Sequence, residues 1–209
     1  MIEVMIVAAA FMYLVIKVLS VDPKFKGKRG ERRVRRRLEK ICRTGEFRLL
    51  NDIYIKSCGR EAQIDHILIG KSGIFVIETK TYKGMVTGGE NDEEWEQTIG
   101  RSAQTYYNPV RQNRNHIRVL KYLLDGMCPD FCYHSLVVFP NDTLLSVNTD
   151  KALVLDDLNP RIISYKYENL TNENISDIAA VIRNANIDSK KERRKHVRRI
   201  RKEFKKNNR

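Results

Sequence analysis

The sequence predicts an α/β protein: a mixed central β-sheet flanked by helices, preceded by an N-terminal transmembrane helix. Three observations predict it. Short apolar runs rich in Ile, Val and Phe, bounded by turn residues, read as buried strands. Stretches with apolar residues three and four apart lie before, between and after them and read as amphipathic helices. The chain opens on an apolar run from Ile2 to Val21, interrupted only by Glu3, Lys17 and Ser20.

About 20 apolar residues in a helix just span a bilayer core, and Lys17 lies where it can snorkel to an interface. No basic residues precede the run and no small-residue cleavage site follows it, which argues against a cleaved signal. "KFKGKRGERRVRRR" follows directly, so the positive-inside rule keeps that side cytoplasmic. The alternative is a buried helix of the globular part, since the uninterrupted run, Val4 to Ile16, is shorter than a span.

The first domain helix is expected in "GKRGERRVRRRLEKICRTG", with Val34, Leu38 and Ile41 on one stripe and Gly45 as its stop. "FRLLNDIYI", "AQIDHILIG" and "GIFVIETK" are three successive strands. Residues 86–96 read as a loop or short strand with an exposed turn. "NPVRQNRNHIRVLKYLLDG" has a proline start, a stripe through Ile117, Leu120 and Leu124, and a glycine stop, hence a helix. "HSLVVFP" and "KALVLDDL" are strands, and "NISDIAAVIRNAN" is a last helix. This divides the chain into an anchor (1–21), one α/β domain (22–189) and a basic tail (190–209). Its 209 residues suffice for one well-cored domain.

The net charge of +13 is concentrated at the two ends. Residues 1–37 hold 10 Lys/Arg against 3 Asp/Glu, and residues 190–209 hold 12 against 2, which leaves the middle slightly acidic. Basic flanks favour polyanions, either nucleic acid or anionic lipid. In the tail, Val197, Ile200 and Phe204 permit an amphipathic basic helix as readily as a disordered segment. The four cysteines form no dense framework, and reduced thiols are expected. "CPDFCYH" offers Cys128, Cys132 and His134, with Cys58, as a remote zinc alternative without standard spacing.

Asp65, Glu78 and Lys80 are out of place in segments otherwise so apolar. The turn "GKSG" fixes their relation. With Gly70 paired to Gly73, Asp65 falls opposite Glu78, on one face, with Cβ atoms about 4.5–5.5 Å apart. Lys80 shares the face of Glu78. Opposed carboxylates repel, and a divalent cation with oxygen ligands, Mg²⁺ or Mn²⁺, removes the conflict. A plain Lys80 salt bridge to one acid is the bland alternative. Glu31 lies on the same helical stripe as Val34, Leu38 and Ile41 and so faces the sheet, although a glutamate also suits the first turn of a helix. His66 is expected on the opposite face from Asp65. Trp95 and the Tyr106–Tyr107 pair can stack on bases, but packing is the expected role.

"GERRV", "AQIDHILIG", "GIFVIETK", the Trp95 region and "NPVRQN" occur in the order seen in the nuclease-related domain family, which resembles a branch of the PD-(D/E)xK nuclease superfamily. The resemblance covers about residues 27–140. It implies a restriction-endonuclease-like core, Asp65 and Glu78 as metal ligands, Lys80 as the catalytic lysine and Glu31 as a metal or water contact. It also implies Gln112 as the glutamine lining the site. Ile64 stands where the superfamily loosely keeps a proline. The expected function is therefore a membrane-tethered, Mg²⁺- or Mn²⁺-dependent nuclease acting on nucleic acid, DNA ahead of RNA. The alternative is a non-catalytic membrane-associated protein binding nucleic acid or lipid on a nuclease-like fold.

Overall fold

The computed structural model describes residues 23–189, with side chains from Gly27 onward. The apolar run at the N-terminus and the basic tail lie outside the described residues. Among those described, no helix is long and apolar enough to cross a membrane.

Helix α1 (Pro23–Cys42) is followed by strands β1 (Arg48–Ser57), β2 (Arg60–Gly70) and β3 (Gly73–Thr79). Two tight hairpins join the three strands. At the β1–β2 turn Cys58 and Gly59 both have positive φ, 48° and 70°, the pattern of a two-residue type I′ loop. At the β2–β3 turn Gly70 pairs with Gly73, the register expected from the sequence. Gly73 has φ 132°, and a Cβ there would sit 2.2 Å from the Cys132 carbonyl oxygen. Only glycine lets the turn come that close.

Strands β4 (Gly84–Gly89), β5 (Glu94–Ile99) and β6 (Ser102–Tyr107) come next, then helix α2 (Pro109–Leu123). A short 3₁₀ turn leads into β7 (Tyr133–Phe139), β8 (Thr143–Asn148) and β9 (Ala152–Val154). Helices α3 (Leu158–Ser164) and α4 (Asn172–Ala185) complete the described chain.

The main sheet has the order β1-β2-β3-β7-β9, antiparallel through β3 and parallel beyond it. One face is covered by α1 and α3: Val34, Leu38, Ile41, Leu158 and Ile162 pack on Leu68, Phe75, Ile77, Leu136 and Val138. The other is covered by α2 and α4, where Val119, Leu120, Ile175 and Ile178 pack on Ile55, Ile64, Ile69, Ile74 and Val76. Strand β3 is buried on both faces up to Glu78, which explains its unbroken apolar run.

The segment 86–96 takes the short-strand reading, with the end of β4, an exposed turn at 90–93 and the start of β5. It contributes to a second mixed sheet, β6-β5-β4-β8, with β4 and β8 parallel. The strand expected over 151–158 ends at Val154, and a 3₁₀ turn and α3 follow, with Pro160 near the helix start where its missing N–H costs nothing. The second sheet has its own apolar cluster of Val86, Trp95, Val110, Val137 and Phe139. Trp95 is buried there and donates its indole N–H to the Gly89 carbonyl at 2.8 Å, so packing is its role, as expected. Tyr106 stacks on Tyr82, ring centres 4.1 Å apart.

Candidate active site

The site lies where β2 and β3 stop pairing. Their ladder runs from Gly70–Gly73 to His66–Ile77. One residue on, Asp65 and Glu78 stand opposite each other. The Thr79 N–H, which has no ladder partner in β2, is taken instead by the Asp65 carboxylate: Thr79 N donates to Oδ2 at 2.8 Å.

The pleat is interrupted at this row. In β1, Leu50 and Ile53 join one apolar layer though three residues apart, and in β2 Ile64 and Ile67 do the same. Strict alternation would send them to opposite faces. Between them lie Asp52, with left-handed φ of 52°, and Asp65. The flanking pairs Asn51–His66 and Ile53–Ile64 put Asp52 directly across from Asp65. Asp52, Asp65 and Glu78 thus form one row of carboxylates across three strands, and Asp52 accepts from Gln63 Nε2 at 3.1 Å.

Beyond the ladder, Lys80 donates its backbone N–H to the Val138 carbonyl at 2.9 Å, which continues the alignment with β7. Its side chain turns back to the site. Lys80 Nζ lies 2.9 Å from Glu78 Oε1 and donates to Gln112 Oε1 at 2.8 Å. Gln112 Nε2 donates to the same Glu78 Oε1 at 2.9 Å, closing a triangle. The other carboxylate oxygen, Glu78 Oε2, is buried and accepts no hydrogen bond; His116 Nδ1 is 3.5 Å away.

Helix α2 brings Gln112 and His116 to this place, one turn apart. Asn108 caps its start. The Asn108 Oδ1 accepts from the N–H of Val110 and Arg111 at 2.9 and 3.3 Å. The Asn108 amide donates to the carbonyls of Gly89, Glu90 and Asp92. Asn113, fully buried, donates to the Val76 carbonyl at 2.7 Å and to Ser135 Oγ at 2.9 Å, fixing the helix across β3 and β7.

Glu31 arrives from α1. The preceding Gly30 makes the approach possible, because a Cβ there would lie 2.3 Å from Thr81 Cγ2. Burial raises the Glu31 pKa, and the charges of Asp52 and Glu78 raise it further. Burial likewise holds the Asp65 carboxyl well above the usual range, with Glu78 next and Glu31 adding to it, against the Thr79 N–H, which favours the ionised form. Burial is the largest single influence and opposes the Lys80 ammonium, but Glu78, Tyr82 and Asp65 together exceed it and the Lys80 pKa ends up raised. Glu31 thus feels Asp52 and Glu78, Asp65 feels Glu78 and Glu31, and the Lys80 ammonium is held beside Glu78.

Of the residues singled out from sequence, Asp65, Glu78, Lys80 and Gln112 come together, with Glu31 within electrostatic reach. The bland alternative of a Lys80–Glu78 salt bridge is also present. His66 pairs with Ile77, whose side chain packs on the α1 face, and its Nδ1 lies 2.7 Å from Asn51 Oδ1. Burial lowers its pKa to about 4, which keeps it neutral. His134 binds the Ser72 carbonyl at 2.9 Å and packs on the Phe75 and Tyr165 rings. Among the described residues, no three His, Cys, Asp or Glu side chains form a ready-made metal cage. Sequence reasoning missed His116 and Asp52. The signal for His116 was its place four residues after Gln112; for Asp52 it was the register set by the Cys58–Gly59 turn.

Residues 26–140, which hold every side chain of this site, match the nuclease-related domain. Over 210 aligned residues the chain is 34% identical to an uncharacterized protein of Bacillus anthracis, across 97% of this chain and 98% of that one. No solved structure matches. With more than half of its length matched, and with the row of acids, the lysine and the glutamine inside that match, the chain belongs to the nuclease-related domain family.

Proposed function

We propose that this protein is a divalent-metal-dependent nuclease that hydrolyses phosphodiester bonds in nucleic acid, DNA before RNA. The observation that carries the reading is the meeting of Asp65 and Glu78 with Lys80 between Glu78 and Gln112. The donor set fits a hard cation: oxygen ligands only, one buried carboxylate oxygen without a hydrogen bond, and acids whose mutual repulsion a positive ion relieves. Asp65 and Glu78 would hold Mg²⁺ or Mn²⁺, with Glu31 reaching it directly or through water. Such an ion, when bound, supplies charge for a phosphoryl oxygen and makes bound water more acidic.

The chain's own groups account for the rest. Lys80 stays protonated and presents its ammonium to water or to charge developing on the phosphoryl group. Gln112 holds Lys80 and Glu78 in register by using both ends of its amide. Asp65 is fixed by the Thr79 N–H. Residues 2–21 would tether the domain to the membrane, with the catalytic part on the cytoplasmic side.

The test is cleavage of single- and double-stranded DNA and RNA by the full chain in Mg²⁺ or Mn²⁺, with and without chelator. The rival reading is a non-catalytic binder, and the Lys80–Glu78 ion pair, which closes without a metal, is the observation in its favour. Binding without turnover on any of the four substrates would select it.

A further inference from the structure

Beside the carboxylates lies a cleft of about 540 Å³. Its walls include Arg29 and Arg33 from α1, Lys80 and Lys83 from the β3–β4 connection, and Gln97 and Ile99 from β5. The only acid in its lining, Asp142, is already paired with Lys83 at 2.6 Å. Arg29 and Arg33 are exposed, stand one helical turn apart, and make no hydrogen bond or ion pair among the described residues. Lys80 is common to both places: it lines the cleft, while its ammonium reaches Glu78 and Gln112. The cleft therefore opens onto the candidate site itself.

We propose that this cleft holds one unpaired nucleic-acid strand beside the phosphate that is cut, with Arg29 and Arg33 clamping the neighbouring phosphate. The proposal rests on the nuclease reading for the position of the cut. Its chemistry is that of a nucleotide. Guanidiniums suit phosphate oxygens, Gln97 offers an uncharged amide for hydrogen bonding, and the half-exposed Ile99 gives an apolar surface to a sugar or base. Its size decides between strand and duplex. A cavity of about 540 Å³ falls in the range that encloses one small ligand, whereas a duplex presents a major groove that alone is about 12 Å wide. Duplex ends would have to fray to enter.

The experiment uses the full chain and fluorescein-labelled oligonucleotides, single-stranded and blunt duplex of the same sequence, in EDTA, by fluorescence anisotropy over a range of KCl concentrations. Arg29→Gln/Arg33→Gln is compared with Arg32→Gln/Arg36→Gln, which removes the same charge from the same helix outside the cleft. The expected result is tighter binding of the single strand by the unaltered protein. The cleft variant loses about tenfold or more in single-strand affinity and about 1.4 in salt slope, two contacts at about 0.7 each. The matched control loses less than half of either. Equal losses in the two variants, no loss in the cleft variant, or tighter binding of the duplex would overturn the proposal. Cleavage in Mn²⁺ is scored separately. A cleft contrast without cleavage by the unaltered protein removes the nuclease reading and leaves the strand site. Cleavage without a cleft contrast does the reverse.

Discussion

The Asp65 carboxylate takes the Thr79 N–H, 2.8 Å from Oδ2, in place of a strand partner. Asp65 therefore has a structural task as well as its place in the row of acids, and two substitutions separate them. Asp65→Asn keeps an oxygen for that N–H and removes the charge. It should fold with stability equal to or above that of the metal-free wild type, while losing Mg²⁺ or Mn²⁺ binding and cleavage. Asp65→Ala leaves a buried donor without an acceptor and should cost about 1–3 kcal/mol. Urea unfolding and calorimetric metal titration read both. Equal destabilisation by the two changes would remove the structural task.

Stability of the metal-free protein should depend on pH through the same residue. The Asp65 pKa is raised above its ordinary 3.8 on folding, by burial and then by Glu78. A raised carboxyl favours the folded state fully below the unfolded value, and that contribution is lost as pH climbs through the folded value. The stability of Asp65→Asn relative to wild type should therefore increase as pH rises from about 4, where unfolded aspartates begin to ionise. Saturating Mn²⁺ should shrink the difference. Urea midpoints at several pH values, with and without Mn²⁺, measure it, and a difference that does not change with pH contradicts it.

Lys80→Ala should separate metal binding from turnover. Lys80 Nζ lies 2.9 Å from Glu78 Oε1, and both side chains are largely buried. Removing one member of a buried pair costs about 3–5 kcal/mol when the other stays charged. Added Mn²⁺ should restore part of that loss, more than it stabilises wild type, because it replaces the missing positive charge, while cleavage stays low. Thermal melts with and without Mn²⁺, alongside nuclease assays, read both effects. Full cleavage by this variant would take Lys80 out of the mechanism.

The anchor and the tail are tested by fractionation and by salt dependence. The proposed anchor, the run from Ile2 to Val21, predicts that the full chain sediments with membranes and resists extraction by high salt. Removal of residues 190–209 should weaken nucleic-acid binding and flatten its salt dependence while leaving metal affinity unchanged. A full chain that stays in the supernatant without detergent contradicts the anchor.

The main sheet was legible because burial on two faces forces unbroken apolar runs, as in β3, and because the "GKSG" turn permits one register. That register alone brought Asp65, Glu78 and Lys80 together. The second sheet was not legible for the opposite reason. Residues 102–105 of β6 are exposed, and β8 alternates around polar residues, so neither carries a core signal. These segments become strands through their partners. The sequence pattern also hid the interrupted pleat at Asp52 and Asp65. Period-two reading assumes a regular strand, and a left-handed aspartate inside one is a local exception that hydrophobic spacing cannot register.

Asn108 turns the second sheet into a lever. Its amide fastens the first turn of α2 to three carbonyls of the β4–β5 loop, and Gln112 rides one turn further along the same rod. Any tilt of that loop swings the glutamine relative to Glu78 and Lys80, and a displacement of about 1 Å at a reacting centre can cost about a hundredfold in rate. Asn108→Ala should therefore depress turnover more than its loss of a cap, about 0.5–2 kcal/mol, depresses stability. Aiming accuracy at the carboxylates is set partly by a sheet that contributes none of them.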